Sequence, residues 1–223
     1  MSDILLDEKI TASQKVIIAK TYVSNGEVKI EYGDIINYHY KFASKTKNYI
    51  NSTKLSLSII GKKNAIVYEH FSGPLNAKKA QNTFKRIEYV YNKLRKTLIK
   101  KFVEFGLEQI NSKNKFHVSN VKFTQNGLVF RPRTSFFLKT IEIPYESAKI
   151  ESEYREWGGG MKFSGKNSLF ILKDLSKGIS HRYSNNFRYQ PDLTEIEKAS
   201  TLLEYIKENK TFEKTVANTV YKT

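Results

Sequence analysis

Four histidines, one close pair of carboxylates, a serine beside a glycine, a run of three glycines and several clusters of cations are the residues of this 223-residue chain that could do chemistry. His39, His70 and His181 fall inside expected strands and His117 just before one. None forms an HxxxH or HxH pair and no carboxylate stands at ligand spacing, so no metal site is expected. Nucleophilic catalysis finds no Gly-x-Ser-x-Gly elbow and no cysteine, and Ser164-Gly165 has no local activating signature. Glu151 and Glu153 share one face of an expected strand, where a solvated face accounts for them. Gly158-Gly159-Gly160 lacks a P-loop lysine and a following helix, so it reads as a turn with unusual backbone angles and not as a phosphate cradle. Neither catalytic residues nor a cofactor are expected, and the chain reads as a non-enzyme.

The cations are more suggestive. Lys78, Lys79, Lys85, Arg86, Lys93, Lys96 and Lys100 fall within about 120° of arc on one expected helix, with Tyr89 among them. A solvated lysine face is the common meaning of such a stripe, and anion binding through Lys85, Arg86, Lys93, Lys96 and Lys100 is the functional one. Arg131, Arg133 and Lys139 form a second cluster, in which arginine's planar fork suits phosphate or carboxylate.

The helix that carries the first cluster is the clearest element in the chain. From Asn76 to Gly106, Ala80, Phe84, Ile87, Tyr91, Leu94, Leu98, Phe102 and Phe105 recur at spacings of three and four on the side opposite the cations. Asn76 reads as its N-cap and Gly106 as its C-terminal stop. About thirty residues at 1.5 Å per residue make roughly 45 Å, long enough to join two halves of the molecule.

Strands precede and follow it. Residues 9 to 23 read as a strand entering a hairpin at Ser24-Asn25-Gly26; EVKIEY and IINYHYKF alternate with period two; TKLSLSII and AIVYEHF complete the first half at Gly73-Pro74. Five or six strands and one helix are expected there. In the second half VKFTQNGLVF is a hairpin around Asn126-Gly127. Ile141, Ile143 and Tyr145 alternate, with Pro144 marking an edge or bulge. GMKFSG, NSLFILK and GISHRYS are further strand candidates. A last helix is expected from Asp192 to 209 on Leu193, Ile196, Ala199, Leu203 and Ile206, with Thr194 and Glu197 spaced as a capping box. Strand series each closed by a helix argue for α+β, with domains at 1–110 and 111–223 and a boundary near 106 to 116.

Composition bounds the partners. Formal net charge is +16, from 19 basic against 10 acidic residues up to Asn111 and 19 against 12 beyond it, so no basic tail explains it. Such charge favours nucleic acid, acidic headgroups or an acidic protein surface. No cysteine means neither disulfides nor thiolate metal sites. Acids stand in the first residues where a signal peptide needs bases, and no run of eighteen apolar residues occurs, so a cytoplasmic protein without a transmembrane segment is expected.

The stretch IPYESAKIESEYREWGGGMKFSG resembles the middle of the bacterial pleckstrin-homology-like (PH-like) domains, in which an IPxxxIxxVE strand precedes a turn rich in Trp and Gly. The matching residues are Ile143, Pro144, Tyr145, Ala148, Ile150, Tyr154, Trp157, Gly158 and Gly159. QKVIIAK with EVKIEYGDIINYHYKF is similar to the opening strands of the same superfamily, Tyr32 to Ile36 taking the place of its PYxDI turn. The first half lacks the Trp-Gly turn, and its helix is far longer than the usual cap. The resemblance implies two tandem, partly open antiparallel barrels, each closed by a C-terminal helix, in a binding or scaffolding protein. It also implies that Arg131, Arg133 and Lys139 occupy the place of headgroup-binding cations. The expected function is therefore engagement of a partner protein or an anionic membrane surface, with sequence-nonspecific nucleic-acid binding along the helix as the alternative.

Overall fold

The computed structural model describes residues 3–47, 50–73, 77–130, 140–156, 166–184 and 194–209. The protein is a mixed α+β molecule in which every strand pairing among these residues is antiparallel. A four-stranded meander comes first: β1 (Ile4–Lys9), β2 (Lys15–Ala19), β3 (Tyr22–Ser24) and β4 (Lys29–Glu31). A 3-10 turn at Tyr32–Asp34 leads into a three-stranded meander, β5 (Ile35–Lys47), β6 (Ile50–Gly61) and β7 (Ala65–Ser72), and then into α1 (Ala77–Lys113). The order repeats with a four-stranded meander, β8 (Phe116–Val118), β9 (Val121–Phe123), β10 (Leu128–Phe130) and β11 (Ile141–Ile143). It ends with a three-stranded one, β12 (Ala148–Glu156), β13 (Lys166–Asp174) and β14 (Ile179–Ser184), and α2 (Glu195–Asn209). The four sheets are separate, and none closes into a barrel among the described residues.

Seven strands fill the first half where five or six were expected. β1 was missed because its residues are mostly exposed and carry no alternation, and the expected strand over residues 9 to 23 is broken at Lys20 and Thr21 into β2 and β3. The turn glycines act as the sequence implies: Gly26 has φ +96° in the β3–β4 hairpin. At Gly127 a Cβ would stand 2.4 Å from the Ile143 carbonyl oxygen, so only glycine lets β11 close on the β9–β10 hairpin. β11 is an edge strand and stops at the residue before Pro144, as proline at a sheet margin requires.

Alternation decides which face of β5–β6–β7 is buried. Tyr38, Ile59 and Ile66 stand opposite one another across the three strands, as do Tyr40, Leu57 and Tyr68. This face receives the first two thirds of α1, where Ala80, Ile87, Val90, Tyr91, Leu94 and Leu98 are buried. Tyr40 stacks on Tyr91 with ring centroids 4.4 Å apart.

One expectation about α1 is corrected. Asn76, the expected N-cap, lies outside the described residues, but Gly106 is not the stop. The helix continues about two turns past it and ends before Asn114, whose φ of +52° breaks the helix and whose Oδ1 accepts from the Gln125 amide at 2.9 Å. Gly106 is instead a packing residue, since a Cβ there would be 2.9 Å from the Phe116 ring and 3.3 Å from Leu202. Beyond Phe102 the buried positions become Val103, Gly106 and Ile110, roughly a third of a turn round the helix from the earlier stripe. There α1 packs on β8 and α2, and Phe102 and Phe105 both meet the Phe116 ring. Phe105 is consequently only partly buried. One continuous apolar core runs from Ile10 to Ile206 through this helix.

Within α2, Ala199, Leu202, Leu203 and Ile206 are buried; Asp192 and Leu193 lie outside the described residues. Glu197 does not close a capping box. Its Oε1 accepts from Arg95 Nε at 2.6 Å and its Oε2 from the Tyr91 hydroxyl at 3.1 Å, so it ties α2 to α1.

Candidate anion-binding face and the cleft beside it

Lys85, Arg86, Lys93, Lys96 and Lys100 are all exposed on α1, on the side turned away from β5–β7. From Lys85 to Lys100 they follow the helix for about 22 Å. Lys85 and Lys96 make no hydrogen bond or ion pair among the described residues. The Lys93 ammonium lies 5.4 Å from the Tyr89 ring centroid, and Tyr89 is itself exposed. Lys100 stands 3.9 Å from a Glu104 carboxylate that Lys101 holds more closely, at 2.6 Å. Between Ala80 and Lys100 the sequence has a single acid, Glu88. Glu88 is exposed, and its charge adds to burial in raising the Tyr40 hydroxyl to about 12. The result is a strip of positive charge with little internal neutralisation.

Arg86 differs from the lysines because it is built into the fold. Its Nη1 donates to the Lys9 carbonyl at 3.0 Å and reaches the Ile10 carbonyl at 3.5 Å, pinning the β1–β2 turn to the start of α1. It thereby closes one wall of a cleft of about 770 Å³ lined by the turn from Lys9 to Gln14, by Glu69, His70 and Phe71 of β7, and by Asn82, Thr83 and Arg86 of α1. Gln14 Nε2 donates to the Glu69 carbonyl at 3.0 Å, whereas its Oε1 is buried without a hydrogen-bond partner. The Glu69 carboxylate is taken up by Lys54 at 2.7 Å. Sequence reading missed this cleft because its three walls are distant in the chain and none carries a motif.

The second cluster expected from sequence, Arg131, Arg133 and Lys139, lies outside the described residues, as do Ser164, the three glycines and the side chain of Glu153. Glu151 is held by Lys149 at 2.9 Å and Lys173 at 2.6 Å, and hydrogen bonds from these lysines depress its pKa. A carboxylate so paired is a poor proton acceptor. The histidines are distributed over separate strands, His117 inside β8 and not before it. Among the described residues no three His, Cys, Asp or Glu side chains converge to hold a metal ion. No helix among the described residues is long and apolar enough to cross a membrane.

A buried cation also escaped the sequence reading. Lys198 of α2 is 1 % exposed; its ammonium lies 4.7 Å from the Tyr38 ring, 5.2 Å from the Phe102 ring and 3.6 Å from Glu195. Heptad-like spacing gives no hint of it, because Lys198 falls next to Ala199 on the apolar side of α2, where aromatic faces supplied by β5 and α1 and the Glu195 carboxylate receive its charge. It joins the two halves of the chain and offers nothing to a ligand. Compared with known proteins, the chain matches no family model and no curated protein.

Proposed function

We propose that the protein is a non-enzymatic binding module of two PH-like units joined by α1, and that the exposed basic face of α1 engages an anionic surface on a partner protein or a membrane. The observation that supports it is the line of cations, about 22 Å long at 1.5 Å per residue, in which Glu88 is the single acid and Lys85, Lys93 and Lys96 make no ion pair among the described residues. The twofold order of a four-stranded meander, a three-stranded meander and a helix supports the PH-like reading, and the division near residues 106 to 116 follows from it. The mechanism is shape and charge with no bond made or broken.

Nucleic acid is the second reading, and Tyr89 favours it. An exposed aromatic ring among lysines, one of them over its face, is the arrangement that tracks a phosphate backbone and stacks a base. Titration of anionic liposomes, labelled duplex DNA and single-stranded RNA at two ionic strengths separates the readings. Lys93→Gln with Lys96→Gln should weaken liposome binding if the face meets a membrane. On duplex DNA, each lost phosphate contact should flatten the logarithmic salt slope by about 0.9. No binding to any of the three at micromolar protein refutes both polyanion forms and leaves an acidic protein surface as the ligand of this face.

A further inference from the structure

The cleft beside Arg86 has a chemistry of its own. It does not depend on the basic face, with which it shares only Arg86. We infer that it takes an acidic peptide segment of a partner protein in extended form. The Arg86 guanidinium is fixed in place by the Lys9 carbonyl through one nitrogen, which leaves its other N–H groups pre-oriented for a carboxylate. Lys9 adds a second cation to the lining, and Glu69, the only carboxylate among its described residues, is already paired with Lys54, so this lining is positive on balance. Gln14 supplies the polar complement. Its side-chain amide lies along β7 with Nε2 spent on the Glu69 carbonyl, and its buried Oε1 requires a donor of the kind that a peptide N–H provides. The walls accommodate side chains as well as backbone. Phe71, 64 % exposed, offers an apolar face at one margin, and 770 Å³ lies within the range of clefts that enclose small ligands or short segments. β7 itself pairs only with β6 among the described residues, so an extended chain can lie along its outer side.

The experiment uses the full chain, isotopically labelled, and two pools of end-blocked hexapeptides. One pool has glutamate fixed at the third position and the other has glutamine there, with glycine, valine, leucine and phenylalanine varied elsewhere. The acidic pool should shift the amide signals of Thr11, Gln14, Glu69, Phe71, Asn82 and Arg86, and the neutral pool should bind about tenfold more weakly, as loss of one charge-assisted pair implies. Gln14→Leu, which keeps bulk and removes the acceptor, and Arg86→Gln should each weaken the acidic pool by about tenfold. Lys93→Gln with Lys96→Gln should leave it unchanged, which separates this site from the basic face. Inorganic phosphate reproducing the shifts at equal concentration would overturn the peptide assignment in favour of a small-anion site. Equal binding of both pools, shifts confined to the Lys85 to Lys100 face, or no shift at millimolar peptide would each overturn it outright.

Discussion

Gly106 and His181 are single residues whose roles come entirely from their surroundings. At Gly106 the helix gains propensity from any Cβ, but the Phe116 ring, wedged between Phe102 and Phe105, stands where that Cβ would go. Gly106→Ala should therefore lower stability by about 1 to 2 kcal/mol in a urea titration, overpacking outweighing propensity. A rise in the midpoint would show that the Phe116 ring can step aside. His181 packs edge-on against Phe130 with centroids 4.7 Å apart, and burial pushes its pKa below the ordinary 6.5 despite the opposing charge of Asp174. A base with a depressed folded-state pKa binds its proton more readily when unfolded, so stability falls as pH drops below 6.5 and the loss ends once the folded-state value is passed. The depressed carboxylates Glu151 and Asp174 act only below their ordinary 4.5 and 3.8, outside that window. Urea midpoints measured at about pH 7 and 5.5 should show a smaller decline for His181→Gln than for the parent, and equal declines would remove His181 as a cause.

At the scale of elements, α1 serves one core with two faces. Its first stripe fills the cup of β5–β7, and the later one, about a third of a turn away, meets β8 and α2. Side chains that the periodicity treats alike are therefore unequal. Leu94 is 1 % exposed between the sheet and the helix, whereas Phe84, with His70 against its ring at 5.8 Å, is only partly buried near the open cleft. Leu94→Ala should cost roughly 2 to 5 kcal/mol and Phe84→Ala clearly less, about 1 to 2, because part of the Phe84 ring never leaves water. Similar losses at the two positions would mean that Phe84 is covered in solution, as by an occupant of the cleft.

Across the whole molecule the two halves are joined by more than a linker. The apolar core is continuous from Ile10 to Ile206, Lys198 of α2 sits against Tyr38 of β5, and Glu197 bonds Tyr91 and Arg95 of α1. A shared helix and a shared core couple the halves energetically, so they should unfold together in one transition. Backbone amide signals of β5–β7 report the first half and those of β12–β14 the second. Their urea curves should coincide. Separate midpoints would show that each half holds its own stability and that the Lys198 contact is incidental.

The sequence by itself determined the α+β class, the strand periodicities, the glycine turns at Gly26 and Gly127, the existence of both helices and the cationic face of α1, because each is written in residues close together in the chain. It misplaced what depends on distant partners. Gly106 looks like a stop until Phe116 and Leu202 are brought against it, and Asn114 ends the helix with no stronger local signal than Gly106 had. The change of buried face beyond Phe102 is invisible to a single periodic stripe, since it reflects a second body packing on the same helix. Tyr38 and Phe102 converge on the buried Lys198 from elements more than ninety residues away, and the Arg86 cleft arises only where a turn, a strand edge and a helix meet. Local patterning fixes elements through steric and hydrogen-bond preferences a few residues long; the tertiary structure alone decides which faces those elements bury and which polar atoms they leave for a ligand.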